Sequence, residues 1–178
     1  MAAWAGGDSV HDMTITIGSR VPDATLHESI EFGDACPLAP SPVSVAEAAA
    51  GKRIVVFGLP GAYTPTCSSR HLPGYLEQLG AFRAAGVDEV WCVAVNDGYV
   101  MAAWGKEQGA IGKIRMLGDG AAEFAKALGI DVDKGKNMGI RMDRFSMLLE
   151  DGVVQQFNRE APGKFEVSDA GTMLKQLG

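Results

Sequence analysis

Apolar residues follow two kinds of spacing along the chain, and together they predict alternating strands and helices. The runs at 53–59 and 90–95 are continuous and rich in β-branched residues, as is typical of buried strands. A helix that begins near residue 65 carries an apolar stripe, which Pro73 must kink or interrupt because proline lacks a backbone donor. The remaining predicted elements are a short helix at 45–49 capped by Ser44, helices at 98–108, 121–128 and 168–177, a strand at 114–117, and a hairpin formed by 145–149 and 153–157.

The order of these elements predicts the fold class. A βαβ start followed by a β-hairpin and a closing helix is the order of a thioredoxin-like fold, an α/β architecture with a central mixed β-sheet flanked by helices. Weak alternation over 14–32 predicts short strands in an N-terminal hairpin extension, and the three prolines of 33–42 predict a loop. Residues 1–12 are small and polar apart from Trp4, so we expect a disordered tail ahead of a single domain at 13–178.

Composition and charge narrow the classes of function. The formal net charge of -6 and a pI near 5.0 argue against nucleic acid as a partner, because its phosphates would be repelled. No apolar run approaches the roughly 20 residues that span a bilayer. The N-terminus lacks the basic flank and apolar stretch of a secretion signal. We therefore expect a cytoplasmic protein with neither a nucleic-acid nor a membrane partner.

Cysteine and histidine spacing gives no support for a disulfide framework or a metal centre. The three cysteines, Cys36, Cys67 and Cys92, are an odd number spread over a long chain, which suits a reducing compartment. Cys36 lies in the proline-rich loop, where we expect it to be accessible and incidental. The chain has no CxxC pair, no closely spaced histidines and no glycine-rich phosphate loop, so we expect no cofactor.

Cys67 is the strongest candidate for chemistry. It ends the octapeptide PGAYTPTC, which follows the strand at 53–59. Thr64 and Pro65 read as the N-cap and first residue of a helix, which makes Cys67 its third residue. Backbone N–H groups without intrahelical partners and the positive end of the helix dipole favour a thiolate there, so we expect a lowered pKa. The polar neighbours do not suit a core cysteine, and a nucleophile is the better interpretation.

The other candidates keep more than one interpretation. The hydroxyl of Thr64 serves as a plain cap, faces the Cys67 sulfur, or binds a substrate oxygen. Arg144 alone reads as a solvated charge. Cys92 lies about 13 Å short of the end of its strand at 3.3 Å per residue, so a direct disulfide with Cys67 would require unwinding of the helix. His71, one turn after Cys67, could assist the thiolate, although a surface cap or a packing role fits better.

The spacing Pro60-x-x-x-Thr64-x-x-Cys67 resembles the active-site motif of the peroxiredoxins. The longer string PGAYTPTCSSRHLPGY, together with VAVNDGYVMAAWGKE at 93–107 and RFSMLLEDG at 144–152, resembles the type II, or subfamily five, branch. The resemblance runs from about residue 13 to the C-terminus. It implies a thiol-dependent peroxidase that reduces hydrogen peroxide and small alkyl hydroperoxides.

The resemblance also implies roles for individual residues. Cys67 would attack the peroxide and become a sulfenic acid, the first and reversible step of thiol oxidation. Thr64 and Arg144 would orient and polarise the peroxide, the backbone N–H groups of Thr66 and Cys67 would donate to the same oxygens, and Pro60 would shield the pocket. These are fixed donors aimed at charge that develops on the departing oxygen.

Regeneration of the cysteine is the step at which this chain departs from part of the family. Some members resolve the sulfenic acid with a cysteine near the start of the final helix, but residues 166–172 contain none. Relatives with a second cysteine 25 residues after the first, as Cys92 is after Cys67, imply reduction by glutathione with glutaredoxin, or by thioredoxin. We expect glutathionylation of the Cys67 sulfenate and rescue by glutaredoxin, with Cys92 optional.

Alternatives of other kinds stay open at this point. One is an enzyme that thioredoxin regenerates through Cys92. Another is a redox sensor or relay that passes oxidation from Cys67 to client proteins. A thiol–disulfide oxidoreductase is weakened by the missing CxxC. Members of this branch usually pair as noncovalent dimers, so the resemblance also implies a homodimer.

Overall fold

The computed structural model describes residues 14–178, so the tail expected at 1–12 lies outside the described residues. Its strands are β1 (Thr25–Glu28), β2 (Ser41–Ser44), β3 (Arg53–Leu59), β4 (Glu89–Ala94), β5 (Arg115–Gly118), β6 (Asp131–Asp133), β7 (Ile140–Met142), β8 (Phe145–Glu150) and β9 (Val153–Arg159). Its helices are α1 (Val45–Ala49), a π-helical turn (Cys67–His71), α2 (Leu72–Glu77), α3 (Leu79–Ala84), α4 (Gly98–Glu107), α5 (Glu123–Leu128), α6 (Gly135–Met138) and α7 (Ala170–Gln176). Within 14–178, none of the helices has the length and apolar character that a bilayer crossing requires.

Seven strands form one mixed sheet in the order β2-β1-β5-β4-β3-β8-β9, and β6 pairs with β7 separately. The strands β3, β4 and β5 are parallel, whereas β8 is antiparallel to β3. The strand β3 is therefore an inner strand, and the loop that leaves it opens at the carboxyl edge of the parallel strands, where α/β sheets commonly place their sites. This is the mixed sheet of the thioredoxin-like fold that the sequence predicts.

Alternate side chains of the inner strands enter two separate cores, one on each face of the sheet. On β3, Ile54 and Val56 face one core, and Val55 and Phe57 face the other. The helices α1 and α5 cover the first core, whereas α2, α3, α4 and α7 cover the second. Burying each aliphatic side chain contributes about 1.5–3 kcal/mol, so the two-sided pattern holds the sheet between its helical layers. Cys67 belongs to the second core.

The segment after β3 differs from a simple kinked helix. The helix begins at Pro65 and widens into a π-helical turn, in which the Leu72 N–H donates to the Cys67 carbonyl five residues back. Pro73 then enters at the start of α2, where a missing N–H costs little. The predicted interruption is confirmed, but it takes the form of a wider turn ahead of the proline and a second break at Gln78 before α3.

The alternation of apolar residues over 14–32 predicts both strands of the N-terminal hairpin within that segment, but the second strand lies outside it. The strand β1 pairs antiparallel with β2 at Ser41–Ser44, outside 14–32, and Leu26 lies opposite Val43. Pro42 is tolerated there because β2 is an edge strand with one unpaired side. The sequence analysis missed β6, α6 and β7, since three- and four-residue elements are too short to show a period.

Gly58 is a position where the packing leaves no room for a side chain. A Cβ at this site would overlap the ring of Phe145 on β8 and approach the Met142 sulfur to 2.8 Å. We expect Gly58→Ala to lower the free energy of unfolding by about 1–3 kcal/mol through overpacking. Gly80→Ala in α3 is the matched control, because a Cβ there has no atom within 4 Å. It should be neutral or stabilising. Urea unfolding of both variants measures this, and equal effects would contradict it.

Candidate active site

The octapeptide forms a loop and the first turn of a helix at the end of β3. The strand ends at Leu59, and the Thr64 carbonyl accepts the first helical hydrogen bond, from the Ser68 N–H at 3.0 Å. Thr64 is therefore the N-cap by backbone position, as predicted. Its hydroxyl does not cap the helix, because it donates to the Gly61 carbonyl at 2.7 Å. With its proton committed, the Thr64 oxygen faces any ligand only as an acceptor.

Neighbouring elements anchor this loop. The Ala62 N–H donates to Asn96 Oδ1 at 2.9 Å, just beyond β4, and Arg141 Nη1 donates to the Pro60 carbonyl at 3.3 Å. Tyr63 has a φ of +63°, a left-handed conformation uncommon for a residue with a side chain. Since local preference opposes this conformation, the surrounding contacts must hold the loop in place.

Cys67 and Arg144 are in direct contact. Arg144 Nη2 donates to Cys67 Sγ at 3.3 Å, and the cysteine has no exposed surface. The Thr66 and Cys67 N–H groups precede the first intrahelical hydrogen bond, so they are not used within the helix. The Cys67 sulfur therefore lies beside a charged donor and at a helix start with unused N–H groups.

Strand register explains how residues 77 apart in sequence come together. The strand β8 is antiparallel to β3, with Phe145 opposite Gly58. Arg144 immediately precedes Phe145, so it lies beside the end of β3, where the Cys67 loop begins. The sheet pairing places the guanidinium at the sulfur.

His71 holds the other side of the Arg144 guanidinium. Its Nδ1 lies 2.9 Å from Arg144 Nη1, and its Nε2 lies 3.0 Å from the Ser168 carbonyl. A carbonyl and an arginine fix the tautomer, because Nε2 must donate to the first and Nδ1 must accept from the second. Burial, reinforced by the Arg144 charge, lowers the pKa of His71 from 6.5 to about 3, so the ring is neutral. Of the two roles expected for His71, the surface cap is wrong, since the residue is fully buried, and the packing role is confirmed, since its ring lies 5.0 Å from the Phe57 ring and 5.6 Å from the Tyr75 ring.

Glu160 fixes the loop that carries the Ser168 carbonyl, the partner of His71. Its Oε1 accepts from the N–H groups of Glu166, Val167 and Ser168 at 2.8–2.9 Å and from the Ser168 hydroxyl at 2.9 Å. Although burial acts in the opposite direction, these hydrogen bonds hold the Glu160 pKa below its ordinary value. The Ser168 carbonyl so positioned accepts from both His71 and the Tyr75 hydroxyl.

The roles of Glu160 and Ser168, and the contact of His71 with Arg144, are not predictable from the sequence. No local motif marks these residues, because their partners lie on other elements. The one available signal was the spacing of His71, one turn after Cys67, and it pointed only to the thiolate.

A cavity of about 220 Å³ is lined by Arg144, which contacts Cys67, and by Thr66, which precedes Cys67 in the chain. Of the six predicted site residues, Pro60, Thr66 and Arg144 form part of its wall, and Cys67 contacts Arg144. Thr64 lies at the start of the same helix with its hydroxyl on the Gly61 carbonyl, and Cys92 does not line the cavity. The lining residues are Pro60, Thr66, Arg70, Lys134, Asp143, Arg144, Glu160, Ala161, Pro162, Gly163, Lys164 and Phe165.

The two remaining cysteines lie in contrasting surroundings. Cys92 is buried in the second core, opposite Phe57 in the β3–β4 register, and Cys36 is exposed; neither is in a disulfide. Burial, with the nearby Cys67, raises the pKa of Cys92 well above its ordinary value, so it remains a thiol and a weak nucleophile. Among residues 14–178, no group of three or more His, Cys, Asp or Glu is arranged to hold a metal ion.

The buried neutral state of His71 predicts a dependence of stability on pH. The unfolded chain takes up a proton on His71 below pH 6.5, whereas the folded protein does so only near pH 3. Unfolding therefore takes up a proton within this window, and the free energy of unfolding falls as the pH falls through it. His71→Gln should reduce the slope by up to about 1.4 kcal/mol per pH unit.

Urea unfolding at several pH values between 3 and 6.5 measures this slope. His27→Gln is the matched control, because His27 is exposed and its removal should leave the slope unchanged. An identical slope in the His71→Gln variant and the unsubstituted protein would show that His71 is protonated in the folded state.

Comparison with known proteins agrees with this geometry. The family model described as Redoxin matches residues 16–174. The chain is 44% identical to Peroxiredoxin-2E-2, chloroplastic, of Oryza sativa subsp. japonica, over 92% of this chain and 73% of that protein, and 42% identical to Peroxiredoxin-2B of Arabidopsis thaliana, over 92% and 98%. The crystal structure of reduced Prx3 from Vibrio vulnificus in complex with H2O2 superposes with a TM-score of 0.85 at 43% identity, over 93% of this chain and 100% of that one. The chain therefore belongs to the type II peroxiredoxins, and it is a thiol-dependent peroxidase.

Proposed function

We propose that Cys67 is the nucleophile of this peroxidase and that Arg144 and Thr64 hold the hydroperoxide against it. The contact that carries the proposal is the 3.3 Å hydrogen bond from Arg144 Nη2 to Cys67 Sγ. It places a permanent cation beside the sulfur at the start of a helix, which suits both a thiolate and the oxygen that it attacks.

The first half-reaction follows from the donors and acceptors present. The Cys67 thiolate attacks the terminal peroxide oxygen, the O–O bond breaks, and its electron pair leaves on the RO⁻ fragment, which takes a proton to become an alcohol or water. Cys67 is left as S–OH. Arg144 donates to the peroxide oxygens together with the Thr66 and Cys67 N–H groups, which stabilises the charge that develops on the leaving oxygen. Thr64 accepts from the peroxide O–H, since its own proton is donated to Gly61.

His71 acts in this scheme as a positioning residue. A neutral ring can accept from Arg144 and so fixes the direction of the guanidinium, whereas a protonated ring would repel it. Pro60 shields the pocket as part of its wall.

We propose hydrogen peroxide and small alkyl hydroperoxides as substrates. The Vibrio vulnificus relative was crystallised with H2O2. The complete burial of Cys67 also favours a small first reactant.

Glutathione with glutaredoxin is the reductant that we propose. Glutathione attacks the sulfenic sulfur to give a Cys67–glutathione disulfide and water, and glutaredoxin then takes up the glutathionyl group and releases the Cys67 thiol. Two observations support external reduction: residues 166–172 contain no cysteine, and Cys92 is held as a buried thiol. Reduction by thioredoxin through Cys92, or a relay that passes oxidation to a client protein, are the competing schemes.

A homodimer and a cytoplasmic location complete the proposal. Tyr63 and Tyr99 are each 50% exposed, and exposed aromatic side chains are enriched at interfaces. Three cysteines without a disulfide suit a reducing compartment. Sedimentation velocity of the purified protein tests the dimer, and fractionation of the source cells tests the location.

Replacement of the nucleophile tests the assignment of Cys67. We expect Cys67→Ser to abolish peroxide consumption, because a serine hydroxyl is not ionised near neutral pH and is not oxidised by peroxide. Cys36→Ser is the matched control, since Cys36 is exposed and lies in a distant loop, and it should retain full activity. Peroxide loss in the presence of an excess of thiol measures both variants. Activity retained by Cys67→Ser would remove Cys67 from its proposed role.

A second variant tests the reductant. In NADPH-coupled peroxide reduction, glutaredoxin with glutathione should support turnover, and Cys92→Ser should leave that turnover within about twofold, because the buried thiol takes no part in it. The same assay with thioredoxin and its reductase provides the comparison. If Cys92→Ser still formed the sulfenic acid but lost turnover with glutaredoxin, Cys92 would be the resolving cysteine.

A further inference from the structure

The mouth of the active-site pocket is unusually rich in positive charge. Four of its lining residues are cations, Arg70, Lys134, Arg144 and Lys164, and two are carboxylates, Asp143 and Glu160. The chain as a whole has the opposite balance, with 22 acidic and 16 basic residues. The residues that line the pocket therefore carry a net positive charge, whereas the whole chain carries a net negative charge.

Both carboxylates of the pocket are already engaged with other groups. Asp143 Oδ2 accepts from Arg159 Nη2 at 2.6 Å and from Arg159 Nε at 3.0 Å. Glu160 is 5% exposed and accepts its four hydrogen bonds from the 166–168 loop. Asp143 is thus paired with Arg159, and the buried Glu160 carboxylate is directed at neutral donors of the 166–168 loop, so neither carboxylate forms an ion pair with a lining cation.

The cations, in contrast, form no ion pairs with carboxylates of residues 14–178. In the part of the chain that the structure describes, no ion pair includes Arg70, Lys134, Arg144 or Lys164. Like charges around one cavity repel each other, and this repulsion is relieved when an anion binds among them.

The Arg70 side chain is held at the pocket by an aromatic contact, and the backbone of Lys164 is fixed by a turn. The Arg70 guanidinium lies 5.0 Å from the centre of the Phe165 ring, and the same ring lies 5.6 Å from the Arg144 guanidinium. Lys164 ends a tight turn whose Pro162-Gly163 pair is closed by the Lys164 N–H donating to the Ala161 carbonyl at 3.0 Å. A positioned cation loses less entropy on binding than a freely moving one.

From this arrangement we infer that the pocket mouth is a binding subsite for a carboxylate, formed by Arg70, Lys134 and Lys164 around the Arg144 reaction centre. The inference rests on the proposed function, since it assumes that chemistry occurs at Cys67. A ligand binds with its reacting oxygen or sulfur toward Arg144 and Cys67 and with its carboxylate on the outer cations. The selected class is a hydroperoxide or a thiol that carries a carboxylate.

Two kinds of molecule carry such a carboxylate, and each would bind at a different step of the catalytic cycle. A hydroperoxide of an organic acid would bring its carboxylate in the oxidation step. Glutathione, with its two carboxylates, would bring it in the reduction step. The two are separable because each half-reaction can be measured alone in a single turnover.

The test compares each acid with its ester. In the first arm, reduced enzyme is mixed with an aliphatic hydroperoxide that ends in a carboxylate, or with the methyl ester of the same compound, and sulfenic acid formation is followed by trapping and mass spectrometry. In the second arm, peroxide-oxidised enzyme is mixed with glutathione or its diethyl ester, and the mixed disulfide is followed. The measured quantity is the ratio of the acid rate to the ester rate.

The double variant Lys134→Gln/Lys164→Gln should lower this ratio by roughly fivefold or more in at least one arm, since two cation contacts of moderate strength are lost. The control Lys136→Gln/Lys175→Gln removes the same total charge at exposed lysines that do not line the pocket, so its ratios should be unchanged. Rising ionic strength should lower the ratio of the unsubstituted enzyme in the same arm.

Each outcome decides the question. A fall in the first arm assigns the subsite to the peroxide, and a fall in the second arm assigns it to the thiol reductant. Ratios that stay equal in both double variants overturn the inference, while peroxide consumption by the unsubstituted enzyme shows that the proposed function still stands. Absence of Cys67 oxidation by hydrogen peroxide in the unsubstituted enzyme would overturn the proposed function and the inference with it.

Discussion

The half-buried charge of Arg144 is the constraint on which the rest of the active site depends. A guanidinium withdrawn from water must find partners for its donors, or its desolvation cost is not repaid. Here one nitrogen donates to the Cys67 sulfur and another to His71 Nδ1. A neutral His71 is the only state that accepts, and the Ser168 carbonyl secures it by accepting from Nε2. Glu160 in turn holds Ser168, so one chain of hydrogen bonds runs from the 166–168 loop to the reactive sulfur.

The pairing of strands in the sheet brings Arg144 and Cys67 together. Antiparallel pairing of β8 with β3 fixes Arg144 beside the loop that carries Cys67, and the absence of a side chain at Gly58 leaves room for the Phe145 ring in the adjoining core. The π-helical turn over Cys67–His71 allows the helix to continue into Pro73 while both Cys67 and His71 stay buried. Fold stability and site geometry thus share the same contacts, because the strand pairing that buries the cores also sets the position of the guanidinium.

The two halves of the catalytic cycle depend differently on this structure. In the proposed first step, the chain itself provides the nucleophile Cys67 and the groups that hold the peroxide. Arg144 and the first turn of the helix provide donors, and the Thr64 oxygen is an acceptor. Regeneration calls for a nucleophile that the chain does not present, because burial keeps Cys92 protonated. In the proposed cycle an external thiol approaches through the pocket, which is lined by lysine and arginine side chains without carboxylate counter-ions in the described residues. The positive charge of the pocket thus lies where the proposed reductant would have to bind.

Features that depend on neighbouring residues were predictable from the amino-acid sequence. The apolar runs marked β3 and β4, Ser44 and Thr64 marked helix starts, and the octapeptide around Cys67 marked the nucleophile, because strand burial, capping and helix-start chemistry are all local. The family resemblance identified Arg144 as a site residue, but its spacing in the sequence could not predict its contact with the Cys67 sulfur. That contact, the buried neutral state of His71, the role of Glu160 and the position of β2 became visible in the three-dimensional packing alone. These depend on strand register and burial between residues far apart in the chain, and hydrophobic periodicity records which face of an element is buried but not which distant residue meets it.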